Sequence, residues 1–72
     1  MAEVQMQAVD SSDVAAIGYD EDQQEILVDF VSGHRYAYGN ASRDMFASFA
    51  AAGSKGQFVH RVLKRSCPAR EV

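Results

Sequence analysis

The chain has 72 residues, of which 47% are hydrophobic, and its formal net charge is −3. This length predicts a single domain, 1–72, whose small core favours a homo-oligomer that buries further apolar surface. The lone cysteine, Cys67, excludes a disulfide framework and a multi-cysteine zinc site. No apolar run approaches the ~20 residues that span a bilayer, and Met1–Ala8 lacks the features of a signal peptide, so we expect a cytoplasmic protein without membrane contact.

Charge is divided unevenly between the two halves of the chain. Residues 1–30 carry eight acidic side chains and no Lys or Arg, whereas 31–72 carry all seven basic side chains and only Asp44 and Glu71. The acidic total argues mildly against a nucleic-acid partner, and the basic second half argues for an anionic one.

Two strands are predicted before the centre of the chain. Alternating residues indicate a first strand over Glu3–Val9 and a second over Val14–Tyr19. Gly18 lies inside the second strand, where a glycine marks a bulge or the close approach of another backbone. A polar acidic loop, Asp20–Gln24, leads into the next strand.

The segment Glu25–Asn40 is predicted to be a β-hairpin. Ile26, Val28 and Phe30 alternate with their neighbours at period two, and Ser32-Gly33 provides the turn.

Two registers of this hairpin place the tyrosine pair, Tyr36 and Tyr38, on different faces. A two-residue turn pairs Val31 with His34 and turns the tyrosines toward solvent. One extra turn residue pairs Val31 with Arg35 and places them on the core face. Large aromatic side chains dominate small cores, which favours at least partial burial.

Two helices are predicted after the hairpin. The first covers Ser42–Ala52, with an apolar stripe of Met45, Phe46 and Phe49, and the second covers Gln57–Arg65. Ser54-Lys55-Gly56 is expected to link them, and 66–72 to form a frayed tail in which Pro68 ends any regular structure. The sequence therefore predicts an α+β fold: an antiparallel meander of three to four strands, covered on one face by two C-terminal helices.

Chemistry is sparse along the chain. His34 and His60 have no partners at metal-ligand spacing, and no signature ties a nucleophile to a base. We therefore expect no catalytic residues, no metal and no cofactor.

The expected ligand-binding residues are aromatic and basic. The pair Tyr36 and Tyr38 is expected to stack on a nucleobase, while the cations of the second helix, with Lys55 of the linker before it, contact phosphates. The candidate residues are Tyr36, Tyr38, Lys55, Arg61, Lys64 and Arg65.

Several ordered motifs resemble the KTSC domain family, named for its occurrence at the C-terminus of some lysyl-tRNA synthetases. They are VDSSDVAAIGYD at Val9–Asp20, EILVDF, the Tyr36-Ala37-Tyr38 triplet, and SKG at 54–56 with Phe58. The resemblance covers Val9 to about Arg65. It implies a small α+β module, appended or stand-alone in bacteria and phages, and suggests RNA binding by analogy with the synthetase context.

The chain departs from the family pattern at three positions. Ser42 stands where a proline often opens the first helix, His60 where an asparagine is common, and Leu27 is more apolar than usual. Leu27, Val31 and the acidic loop therefore support an alternative, a protein-interaction module such as a homodimer or a phage-type inhibitor of a host protein. The favoured interpretation is a non-enzymatic module that binds RNA or another anion.

Overall fold

The computed structural model describes residues 4–72 and contains one five-stranded antiparallel sheet. The strands are adjacent in chain order: β1 Gln7–Ala8, β2 Val14–Asp20, β3 Glu25–Phe30, β4 Arg35–Tyr38 and β5 Ala69–Glu71. Between β4 and β5 come helix α1, Arg43–Ala51, and a second helix, α2, which spans 55–66. The predicted α+β meander with two covering helices is confirmed, although the sheet has one strand more than the three to four predicted.

Helix α2 changes its hydrogen-bonding pattern twice without a break. It consists of α-helical Lys55–Phe58, π-helical Val59–Leu63 and α-helical Lys64–Ser66. In the middle segment the amide of Lys64 donates to the carbonyl of Val59, five residues earlier.

The start of the described chain lies against Gly18. A Cβ atom added there would be 2.6 Å from Met6 Sδ, 2.9 Å from Val4 Cγ1 and 3.0 Å from the carbonyl oxygen of Gln5. The close approach predicted for Gly18 is thus confirmed, while the irregularity in β2 falls between Val14 and Ala16. The first strand is shorter than predicted, and Glu3 lies outside the described residues.

The β3–β4 hairpin uses a three-residue loop, 31–33. The amide of Phe30 donates to the carbonyl of His34 at 2.8 Å, and Gly33 takes a φ of 98°, a conformation that glycine adopts without steric cost. Both predicted pairings of Val31 are wrong, because Val31 is itself the first of the three loop residues. Val28 pairs with Tyr36 as a result, and the tyrosines lie on the core face, as in the second predicted register.

The core lies between the sheet and the two helices. Its largest fully buried side chains come from every layer of the fold and comprise Tyr38, Phe49, Ile17, Ile26, Leu63, Val14, Val28 and Val59. Ser42 caps α1 by accepting a hydrogen bond from the amide of Met45.

The predicted linker Ser54–Gly56 is wrong, because α2 begins within it. Ser54 is the N-cap and accepts a hydrogen bond from the amide of Gln57, while Lys55 and Gly56 form the first turn. Gly56 is buried beneath Asp13, whose Oδ2 would be 2.8 Å from an added Cβ. This long-range contact explains a glycine inside a helix, where it costs about 1 kcal/mol relative to alanine.

The predicted frayed tail, 66–72, is also wrong. Residues 69–71 form β5, which pairs with β4, and the amide of Val72 donates to the carbonyl of Arg35 at 2.9 Å. The carbonyl of Pro68 accepts from the amide of Gly39 at 2.8 Å, so the chain after α2 closes the sheet.

Candidate nucleic-acid interface

Helix α2 has one buried side and one basic side. Gly56, Val59 and Leu63 face the core, with Cys67 just beyond the last turn. Six residues of α2 are exposed: Gln57, His60, Arg61, Lys64, Arg65 and Ser66. Lys64 and Arg65 follow Arg61 by three and four residues, and we call these three side chains the α2 cation face.

The π-helical segment explains how this separation of faces is maintained. Val59, Leu63 and Cys67 are all buried, at a strict spacing of four residues. In a regular α-helix, residues four apart drift by about 40° around the axis, because each residue turns by about 100°. The wider π turn reduces this drift, so the buried side stays on the core and the basic side stays in solvent. Such π segments frequently occur at functional sites.

The remaining arginines are neutralised by carboxylates. Arg35 binds both carboxylate oxygens of Asp29, at 2.5 and 2.9 Å, and this hydrogen bonding raises its pKa. Arg70 binds Glu25 at 3.0 Å. Arg43 forms an ion pair with Glu21.

The α2 cation face differs from these arginines. Within residues 4–72, none of its three side chains lies within 4.0 Å of a carboxylate oxygen. Their charges are therefore available to an external anion.

Lys55, another predicted phosphate ligand, is already engaged. Its Nζ donates to the carbonyl of Ala52 at 2.6 Å, where it satisfies the last turn of α1, and its side chain is half-buried. It therefore does not join the α2 cation face.

The structure also packs the predicted tyrosine pair against the core. Tyr38 is 1% exposed, and Tyr36 is half-buried, with its ring edge-on to Phe30 at 5.8 Å. Burial raises the pKa of Tyr38, and its neighbour Tyr36 adds to the shift. A base cannot stack on a ring that other side chains cover, so Tyr38 acts in packing.

A shallow groove that sequence reasoning missed lies beside the α2 cation face. It has a volume of about 250 Å³ and lies between the end of α1 and the first turns of α2. It is lined by Ala52, Ser54, Gln57, Phe58, Arg61 and Val62. The Ser-Lys-Gly-x-Phe motif is the sequence signal for this groove, because its first and last residues, Ser54 and Phe58, line it.

A larger cleft, about 470 Å³, lies at the β1 edge of the sheet. Its polar wall is the acidic loop Asp20, Glu21 and Asp22, together with Arg43. Asp20 accepts hydrogen bonds from loop amides, and Glu21 pairs with Arg43. An anion would meet carboxylates here, so this cleft does not suit a phosphate.

The remaining reactive side chains, Cys67 and His34, make contacts within the fold. Cys67 is 7% exposed, burial raises its pKa, and its Sγ lies 3.7 Å from Met45 Sδ. His34 Nδ1 lies 2.6 Å from a carboxylate oxygen of Glu71 at the sheet end. In the described part of the chain, no three His, Cys, Asp or Glu side chains cluster as metal ligands. Over the same residues, no helix is long and apolar enough to cross a membrane.

Comparison with known proteins establishes the family. The sequence profile of the KTSC domain matches residues 10–66. The chain belongs to the KTSC domain family. The resemblance seen in the motifs is thereby confirmed.

Two relatives show how much of this KTSC domain is shared. A protein from Tsukamurella paurometabola is 37% identical over 59 residues, which span 82% of this chain and 88% of that protein. The crystal structure of a KTSC domain protein from Yersinia pestis superposes with a TM-score of 0.88 at 32% identity, over 97% of this chain and 99% of that one. The superposition therefore includes the sheet and both helices.

Proposed function

We propose that this KTSC domain is a non-enzymatic module that binds RNA by contacting its phosphates with the α2 cation face. The observation that carries the proposal is that some basic residues bind partners within the described fold and others do not. Three arginines pair with carboxylates and Lys55 caps α1, whereas the three cations of this face have no carboxylate partner within residues 4–72.

Electrostatics supports an orientation for the ligand. The acidic residues concentrate in the first half of the chain, including the loop 20–22. A polyanion is repelled from that region and attracted to α2, which restricts how it can approach.

A matched pair of variants tests the proposal. R61Q/K64Q/R65Q removes the α2 cation face, and R35Q/R43Q/R70Q removes three carboxylate-paired arginines, so both lower the net charge by three. Binding of a fluorescent ten-nucleotide RNA is followed by anisotropy. We expect at least a tenfold loss of affinity for the first variant and less than about threefold for the second, because the carboxylate beside each paired arginine offsets its charge toward a phosphate. Equal losses would mean that only net charge matters and would overturn the proposal.

A protein partner is the second candidate. Val31 is 60% exposed at the hairpin turn. Val72 is 53% exposed, and its amide donates a hydrogen bond to the carbonyl of Arg35 at the same end of the sheet. Leu27, by contrast, is half-buried on the outer sheet face. Sedimentation of the wild type and of V31S/V72S measures self-association: a dimer that the double variant dissolves would favour this candidate.

A further inference from the structure

We propose, as an extension of the RNA-binding function above, that the groove beside the α2 cation face holds one unstacked nucleobase, so that the preferred ligand is single-stranded RNA. The inference rests on the size of the groove, on one aromatic ring in its lining, and on an arginine shared by the two sites.

The aromatic ring belongs to Phe58. It stacks on Phe49 with ring centroids 5.1 Å apart and an angle of 30° between the planes, and Phe49 is fully buried. The buried partner therefore fixes the position of Phe58, whose half-buried ring lines the groove. A fixed, partly exposed aromatic ring is what a nucleobase needs for stacking.

Two polar side chains border this apolar surface. Gln57 is exposed, and its amide can both donate to and accept from the edge of a base. Arg61 lines the groove and also belongs to the α2 cation face. A strand whose phosphates lie along that face therefore passes the groove at Arg61.

The size of the groove favours a single small group. Its volume of about 250 Å³ is below the ~300 Å³ at which pockets for drug-sized ligands begin. A nucleobase in a duplex is stacked and paired, so it cannot enter without being flipped out. An unstacked base of a single strand enters at lower cost.

The test compares RNAs that carry the same phosphates. Anisotropy is measured with a labelled ten-nucleotide oligouridine, with an abasic strand of the same length, and with an RNA duplex. We expect the abasic strand to bind at least fivefold more weakly than oligouridine, because alanine substitutions at stacking sites correspond to about 5- to 150-fold per base. The duplex should also bind more weakly at equal phosphate concentration.

Two protein variants assign the effect to the groove. Phe58→Leu and Gln57→Ala should each reduce the preference for oligouridine over the abasic strand. Phe46→Leu is the matched control, since this half-buried ring stacks on Tyr19 and does not line the groove. Gln57 is exposed, so its variant retains the fold and keeps the test decisive if Phe58→Leu unfolds.

The outcomes separate the two proposals. Equal binding of oligouridine and abasic RNA, with a strong dependence on salt, would overturn the proposal that the groove holds a base. It would leave standing the proposal that the α2 cation face binds phosphates. Absence of binding to all three nucleic acids would overturn both.

Discussion

Replacing Tyr38 tests whether the tyrosine pair packs the core or binds a ligand. Tyr38 is 1% exposed, lies opposite Ile26 in the sheet, and is 6.4 Å from the ring of Tyr36. Tyr38→Ala removes a ring that bridges β4 and the helices, whereas Tyr38→Phe keeps the ring and removes only the hydroxyl.

The expected cost of Tyr38→Ala follows from the buried area. An aromatic side chain buries about 150–250 Å², which at about 25 cal/mol/Å² corresponds to about 4–6 kcal/mol as an upper bound. Large-to-small substitutions of buried aromatics cost about 3–5 kcal/mol. A domain of this size has about 4–11 kcal/mol of total stability, at about 0.05–0.15 kcal/mol per residue. Tyr38→Ala should therefore leave the protein barely folded or unfolded.

Urea unfolding followed by circular dichroism measures this cost. At a slope of about 1.5 kcal/mol/M, a loss of 3 kcal/mol lowers the midpoint by about 2 M. Val31→Ala is the control, because a 60% exposed side chain should change stability by less than about 0.5 kcal/mol. Tyr38→Phe should bind RNA like the wild type. A stable Tyr38→Ala protein, or a folded Tyr38→Phe protein that has lost RNA affinity, would refute the assignment of this ring to packing.

Three further predictions concern the sheet and its buried groups. Gly18→Ala should destabilise the protein by about 1–3 kcal/mol through overpacking against residues 4–6, whereas Gly53→Ala, with open space around it, should be neutral or stabilising. In a chain that begins at Gln7, the cost of Gly18→Ala should disappear in urea unfolding, and its persistence would contradict the close approach. Deleting 69–72 should lower the free energy of unfolding by about 1–3 kcal/mol through lost β4–β5 hydrogen bonds, and an unchanged urea midpoint would contradict a paired β5. Burial raises the pKa of Cys67 and of Tyr38 above the ordinary values of 9.0 and 10.0, so the unfolded chain loses these protons at lower pH than the folded one. The free energy of unfolding should therefore be full below pH 9.0 and fall as the pH rises above it. Urea midpoints across alkaline pH should show this fall, and it should be less steep in Cys67→Ala and Tyr38→Phe.

Local patterns were sufficient for most elements of the fold. Alternation identified β2 and β3, and the spacing of Met45, Phe46 and Phe49 identified α1. The alternating pattern also allowed either face for the tyrosines, because the face depends on loop length and Ser32-Gly33 suits more than one loop. The third loop residue, visible only in the structure, decided it.

The errors have a common physical origin in long-range contacts. Gly56 resembles a linker glycine, but Asp13 packs where its side chain would be. The tail after Pro68 has no apolar pattern, and its order comes from hydrogen bonds to β4. Neither contact leaves a signal in the neighbouring residues.

The candidate site was predicted in part by the same reasoning. The spacing of Arg61, Lys64 and Arg65 correctly indicated an exposed basic side of a helix. Only the tertiary structure shows that Lys55 donates a hydrogen bond to the carbonyl of Ala52 and that the other arginines pair with carboxylates. The groove at Phe58 likewise forms only where α1 and α2 meet.

The salt dependence of RNA binding tests the central claim most directly. Three phosphate contacts to a single strand predict a slope of log K against log[salt] of about −2.1, or about a 20-fold loss of affinity between 50 and 200 mM salt. Each neutralised cation of the α2 cation face should make the slope less negative by about 0.7. A slope that stays the same in R61Q/K64Q/R65Q, measured beside the wild type with the ten-nucleotide RNA, would show that the phosphates are bound elsewhere and would contradict the account.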